Sequence, residues 1–173
     1  MLSRTEFEAL FDTFTESAWR LEIQPAYDEP EEREPLRRWL AGEPDDLEWI
    51  ADWWAWIRDI TSAGKRFGRV RVLYDPSTDY QRYELSVLTP PAVEAGEDIR
   101  ILPEARAREL ELPEQDFWLF DDARVAVLHF GSDGVAGAEL IEDTAAVRPF
   151  QQARDRAWDA SVAYREWAHA NIP

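Results

Sequence analysis

The sequence predicts an α/β protein, in which N-terminal helices precede a mixed sheet with flanking helices. Apolar residues recur at three- and four-residue intervals in residues 1–64, a strand–helix–strand succession occupies residues 69–102, and three short strand patterns follow in residues 117–143. A chain of 173 residues is long enough for one domain with a substantial core. We therefore predict a helical region at 1–64 and an α/β region at 65–173, together forming one compact unit.

The N-terminal region is predicted to contain three helices. The first starts at the capping-box spacing Ser3–Glu6, in which a hydroxyl and a carboxylate each satisfy a free backbone amide. A second, short helix stops at Gly42, and a third spans residues 47–62. The helical spacing of the first continues to residue 18 and gives it an apolar face made of Phe7, Leu10, Phe11, Phe14 and Ala18.

The third predicted helix carries four of the nine tryptophans. Trp53 lies at the centre of its apolar arc, so we expect this side chain to be buried. The arc covers roughly half of the circumference, which is more than docking on one neighbour requires. Either the helix is wedged between the sheet and other helices, or one edge remains exposed for a partner. Trp54 and Arg58 are the candidates for that edge, because Trp and Arg are frequent anchors at interfaces.

The α/β region begins with a predicted βαβ unit. Residues 69–73 alternate basic and apolar side chains, as a half-buried strand does. After a turn, Ser77 or Thr78 is placed to cap a helix over residues 80–88, which Pro90-Pro91 interrupts.

A three-stranded meander and a closing helix complete the prediction. Turn signals at 122–123 and 131–134 join the last three strands. Beyond Thr144, apolar residues keep helical spacing as far as Trp167. The predicted strands that follow the βαβ helix are 95–102, 117–121, 124–130 and 137–143.

The charge of the chain restricts its partners. It has 19 basic and 36 acidic residues, which give a formal net charge of −17. Affinity for nucleic acid comes largely from neutralisation of phosphates by Lys and Arg, so this balance argues against direct nucleic-acid binding. The same charge suits a basic protein partner.

Several kinds of site are absent from the sequence. There is no cysteine, and hence no disulfide framework, thiolate metal site or thiol nucleophile. No early basic segment precedes an apolar run, and no apolar stretch has the length of a membrane span, so we expect a cytoplasmic, soluble protein. No metal-binding, cofactor-binding or catalytic motif was found, and we predict none of these sites.

One group of residues is a candidate ligand-binding site: Arg71, Tyr80, Arg82 and Asp116. Ligands of open α/β sheets favour the carboxyl ends of the strands, and the helix start near Ser77 would lie there to receive an anionic group. The alternative is a network of Arg and Glu side chains that braces this helix onto the sheet.

The order of strands and helix in residues 68–168 resembles one half of the phospholipase D-like fold. Active members carry His-x-Lys-x-x-x-x-Asp on the strand that residues 117–121 would occupy. If Asp121 takes the Asp place, Glu114 takes the His place and Asp116 the Lys place. Neither side chain can attack a phosphodiester or hold its charge. The resemblance therefore implies the fold without the phosphodiesterase chemistry.

The phospholipase D-like resemblance also implies a possible homodimer, because active members build one site from two halves. The wide tryptophan arc and the apolar residues 125–130 are predicted to offer surface for a two-fold contact.

A closer resemblance covers nearly the whole chain. It rests on residues 6–21 with Tyr27 and on the motifs Gly64-Lys-Arg, Arg69-Val-Arg-Val, Asp79-Tyr-Gln-Arg-Tyr-Glu84, Ala95-Gly-Glu-Asp-Ile-Arg100 and Asp116-Phe-Trp-Leu-Phe-Asp121. These segments resemble an actinobacterial domain-of-unknown-function family. Members are commonly encoded beside Xre-type helix-turn-helix regulators, which implies a partner or modulator of such a regulator. We therefore predict a non-catalytic regulatory or interaction protein. The alternative is an enzyme or sensor that binds a nucleotide-like or phosphorylated ligand.

Overall fold

The central sheet has eight strands, and the computed structural model describes it within residues 1–172. Its order is β1-β7-β6-β5-β2-β3-β4-β8. Strands β2, β3 and β4 are parallel, and the other pairings are antiparallel. The strands are β1 (Leu2–Ser3), β2 (Ser17–Glu22), β3 (Arg66–Leu73), β4 (Asp98–Pro103), β5 (Phe117–Phe120), β6 (Arg124–Gly131), β7 (Gly134–Ile141) and β8 (Val162–Ala163). The predicted mixed α/β class, the βαβ unit and the meander are confirmed.

Helices cover both faces of the sheet. A π-helical segment, Glu84–Leu88, joins two of them. In the part of the chain that the structure describes, no helix has the length and apolar character that crossing a membrane requires. The helices are α1 (Arg4–Glu8), α2 (Leu10–Thr13), α3 (Pro30–Leu40), α4 (Glu48–Ser62), α5 (Asp79–Tyr83), α6 (Thr89–Ala95), α7 (Glu104–Glu109), α8 (Thr144–Ala160) and α9 (Tyr164–Asn171).

The two faces of the sheet differ in chemistry, because successive side chains of a strand point to opposite sides. One face carries aliphatic and aromatic residues such as Leu21, Val70 and Leu119, and it packs against α7 and α8. The opposite face, here called the cavity face, lies under α1, α2, α4 and α6. It is aromatic around Phe67 and Trp118 and carries charged residues beside them.

The prediction of one long first helix through Ala18 is wrong. The helical turns end at Thr13, and Ala18 lies in β2, at the centre of the sheet between β3 and β5. The Asp121 carboxylate accepts hydrogen bonds from the backbone amides of Thr15, Glu16 and Ser17 at 2.7–3.1 Å. These bonds, formed with a residue more than 100 positions away, hold the chain extended where local spacing favours a helix. Residues before position 65 therefore supply a central strand as well as helices.

Two predicted helix boundaries are also wrong. Pro90 and Pro91 do not end the helix: they occupy the first turn of α6, directly after the π-helical segment. The closing helix is not continuous. It ends at Ala160, β8 then pairs with β4, and Tyr164 and Trp167 belong to α9.

The burial predictions for the apolar surfaces need correction as well. Trp53 is only partly buried, and the fully buried centre of α4 is Ile57, which has 0% exposure. In β6, which lies inside the sheet between β5 and β7, residues 125–128 are buried. The surface expected there for a two-fold contact is therefore not available.

Candidate functional site

A cavity of about 680 Å³ opens on the cavity face of the sheet. Its walls come mainly from α1 to α4 and from the segment Glu84–Leu88, and its floor comes from β2, β3 and β4. Its lining includes nine aromatic side chains, nine carboxylates and four arginines. The five tryptophans among them are Trp49, Trp53, Trp54, Trp56 and Trp118.

The floor of the cavity is charged because two parallel strands place alternate residues on the same face. Arg20 and Glu22 come from β2, and Arg69 and Arg71 come from β3. In the register of these strands, Arg20 lies opposite Arg69 and Glu22 lies opposite Arg71. The sheet therefore holds three guanidinium groups around one carboxylate.

Glu22 is the common partner of these arginines, and it is 2% exposed. Its carboxylate oxygens lie 2.6 Å from Arg69, 2.9 Å from Arg20 and 3.8 Å from Arg71. Burial alone would raise the pKa of Glu22, but the three guanidinium groups outweigh it and lower the pKa to about 2. Glu22 is therefore ionised at neutral pH and balances part of the buried positive charge.

Each floor arginine also has a second carboxylate beside it. Asp116 is fully buried and additionally accepts hydrogen bonds from the Ile23 amide and the Tyr27 hydroxyl. With these pairs the floor is close to electrical neutrality, as buried charges require. The pairs are Arg20 with Asp116 at 3.0 Å, Arg69 with Glu97 at 2.5 Å and Arg71 with Glu84 at 3.0 Å.

Arg71 is the least satisfied group of the floor. It is 1% exposed, and its guanidinium carbon lies 5.0 Å from the Tyr27 ring centroid and 5.9 Å from that of Tyr80. None of its three side-chain nitrogens has a partner in hydrogen-bond geometry among residues 1–172. Buried donors without acceptors are costly, so a group kept in this state points to a functional site.

Burial raises the pKa values of three carboxyl groups in the cavity, those of Glu84, Glu32 and Glu97. Burial raises the pKa of Glu84 to about 8, because the nearby Arg71 only partly offsets the lost solvation. Burial also raises the pKa of Glu32 to about 7, although the Tyr80 hydroxyl donates a hydrogen bond to it at 2.6 Å. Glu84 opens the π-helical segment, and such segments occur frequently at functional sites.

The structure brings together three of the four predicted ligand-site residues. Arg71 and Tyr80 line the cavity, and Asp116 lies beside them through its contacts with Arg20 and Tyr27. Arg82 lies outside the cavity. It is exposed on α5 and bonds to its own helix, at the Ser77 carbonyl and the Asp79 carboxylate.

The cavity lies on the face of the sheet rather than at the carboxyl ends of the strands. The start of α5, considered above for an anionic group, is closed by its own capping box between Thr78 and Gln81. Of the residues considered for a partner, Trp54 is partly buried in the cavity wall, and Arg58 is exposed to solvent.

Sequence reasoning missed most of the charged floor. The signal was present as alternation, since Arg20 and Glu22 flank Leu21, and Arg69 and Arg71 flank Val70. That alternation was obscured in residues 17–22 by helical spacing that continues from the preceding turns. Glu32, Glu84 and Glu97 carried no local signal, since only tertiary packing buries them. Within residues 1–172, no three side chains of the metal-binding types are placed to hold a metal ion.

The fold and cavity together define a mixed α/β domain with a charged, aromatic-walled candidate binding site. Residues 5–169 match the profile of a family described as "Domain of unknown function (DUF6879)", and the chain belongs to that family. A search of curated proteins found no match.

The raised pKa values predict a dependence of stability on pH. The folded protein holds protons on Glu84 and Glu32 that the unfolded chain, with carboxyl pKa values of 4.5, has lost. Their contribution is fully present below about pH 4.5 and is lost as the pH rises to about 8, so the free energy of unfolding should fall across this range. Urea unfolding followed by circular dichroism at several pH values measures the slope.

The double substitution Glu32→Gln and Glu84→Gln should reduce this slope, because neither amide titrates, while Glu97 keeps its own contribution. Glu166→Gln, at an exposed position on α9, is the control and should keep the slope of the parent protein. Parallel slopes for the double variant and the parent would contradict the assignment.

Proposed function

We propose that the protein is a non-catalytic binding module that takes a small organic molecule into the cavity on the sheet. One observation carries the proposal: a cavity of about 680 Å³ encloses buried charged groups, of which Arg71 has unsatisfied hydrogen-bond donors. Apolar pockets of this size, with a few convergent polar groups and perturbed pKa values, are typical of ligand sites. A regulatory role follows if a ligand in the cavity alters the affinity of the protein for a partner.

The positions compared with phospholipase D support a non-catalytic role. Glu114 is exposed, and Asp116 is fully buried and paired with Arg20. Asp121 accepts backbone amide hydrogen bonds, so it has a structural use. An attacking nucleophile must be within reach of the substrate and free of competing bonds. Asp116 and Asp121 do not meet that requirement, and Glu114 is not among the residues that line the cavity.

Binding in the cavity should depend on its tryptophan wall. Trp53 stacks on Trp56 with ring centroids 4.9 Å apart, and both line the cavity. We expect Trp53→Leu to weaken the binders found in a ligand-observed NMR fragment screen by about tenfold, since stacking area is lost. Because Trp53 is only partly buried, the variant should remain folded.

Trp167→Leu is the matched control for this experiment, since Trp167 is also partly buried but lies on α9 against Tyr164. It should leave fragment binding unchanged. A screen without binders, or binders that both variants retain equally, would refute the cavity as the site.

A second candidate function is modulation of a helix-turn-helix regulator by direct contact. The net charge of −17 favours it, because complementary charge speeds association with a basic protein. We propose the outer surface of α4, with Arg58 exposed and Trp54 at its edge, as the contact. Addition of the protein should change the affinity of a neighbouring-gene regulator for its promoter in a gel-shift titration, and the change should shrink with salt. Unchanged DNA affinity at every salt concentration would reject this candidate.

A further inference from the structure

The charge of the cavity lining selects among ligand classes. Its nine carboxylates exceed its four arginines, and Arg20 and Arg69 already donate hydrogen bonds to carboxylates. Arg71, whose donors lack hydrogen-bond partners within the described chain, still has the Glu84 carboxyl 3.0 Å away. Arg4, the fourth, pairs with Glu8 at 2.9 Å and with Glu29 at 3.4 Å. A phosphate or carboxylate ligand would have to displace these partners and approach an excess of negative charge. The lining therefore opposes an anionic ligand.

Buried acceptor atoms at the floor lack donors. One carboxylate oxygen each of Glu22, Glu84 and Glu97 has no partner in hydrogen-bond geometry within the described chain. The Glu84 oxygen lies 3.0 Å and the Glu22 oxygen 3.8 Å from nitrogens of Arg71, whereas no second guanidinium pairs with Glu97 in the described residues. Glu22 and Glu97 are each 2% exposed, and all three residues line the cavity. Carboxylate oxygens in this state favour a ligand that brings N–H donors together with positive charge.

Glu32 lies among the cavity walls and has a polar contact but no counter-ion. Its carboxylate accepts a hydrogen bond from the Tyr80 hydroxyl, and no Arg or Lys within residues 1–172 forms an ion pair with it. A cation bound beside Glu32 would therefore supply a charge partner that the protein itself does not.

The aromatic walls fit the same class of ligand. Trp49, Trp53, Trp54 and Trp56 present indole rings to the cavity from α4. The negative face of an indole ring attracts a cation, and its flat surface stacks on apolar ligand bodies. Carboxylates beside tryptophan rings are a combination suited to organic cations.

We propose that the ligand of this cavity is an organic cation, whose ammonium or amidinium group lies between Glu32 and Glu84 and whose flat apolar body packs on the tryptophans of α4. This inference rests on the proposed binding function and deepens it, because it names the chemical class of the ligand. An organic cation is opposite in charge to the nucleotide-like or phosphorylated ligands that the sequence analysis considered.

The raised pKa values support the proposal. A cation favours the ionised form of both carboxyl groups, so its binding releases protons and tightens as the pH rises from about 6 to about 8. The charged and titratable groups that face the two carboxyls from neighbouring elements are Arg20, Glu22, Glu29, Arg69, Arg71 and Tyr80.

Isothermal titration calorimetry with matched pairs of probes tests the ligand class. The cations are tryptamine, with indole-3-propionate and the neutral tryptophol as its matched controls, and benzamidine, with benzoate as its matched control. At least one cation should bind about tenfold more tightly than its matched control, with an affinity that rises with pH. Glu32→Gln should lower the affinity for that cation about tenfold, since the amide still accepts a hydrogen bond from the Tyr80 hydroxyl but carries no charge. Glu166→Gln should leave this affinity unchanged.

The outcomes separate this inference from the proposed function. Carboxylate or neutral probes that bind as tightly as the cations, with a loss in Trp53→Leu, would overturn the cation class and leave the cavity as a binding site. Failure of both cations to bind would also overturn it, and the fragment screen would then decide the binding function independently. Cation binding that Glu32→Gln leaves unchanged would refute the assigned position.

Discussion

The ion pairs between Glu22 and three arginines set the arrangement of one whole side of this protein. Two adjacent parallel strands direct Arg20, Arg69 and Arg71 to the same face, where water is largely excluded. Guanidinium groups in such a place require carboxylate partners. These partners come from β2, from the residues immediately before β4 and β5, and from the π-helical segment. Packing an apolar helix face directly onto these charged groups would cost free energy, because the groups would lose polar surroundings. The cavity lies where no helix of the described chain packs directly onto them.

This division of the cavity face explains the composition of α4. At the aromatic end, Ile57 and one edge of Trp56 pack against Phe67 and its neighbours, as in an ordinary core. Toward the charged end, the remaining tryptophans form a wall of the cavity. The wide apolar arc thus serves two environments, which is more than a helix docked on a single surface needs.

The sequence predicted the sheet of the α/β region because alternation and turn residues in 117–143 are local signals. It did not predict β2, because Phe7, Leu10 and Phe14 have helical spacing that continues to Ala18 by coincidence. Only contacts with Asp121 and with the neighbouring strands, which are distant in sequence, make that segment a strand. The candidate site was predicted in part for the same reason: Arg71 and Tyr80 belong to recognisable elements, whereas Glu84 and Glu32 acquire their pKa values from packing alone.

The central claim is that Glu22 holds a buried positive cluster together, and equilibrium unfolding in urea tests it most directly. Glu22→Gln keeps the size of the side chain but leaves three guanidinium groups with less negative charge nearby. We expect the free energy of unfolding to fall by about 3–5 kcal/mol, as for other buried ion pairs that lose one partner. Glu114→Gln, at an exposed position, should change it by less than about 0.5 kcal/mol. Equal stability of the two variants would contradict the account.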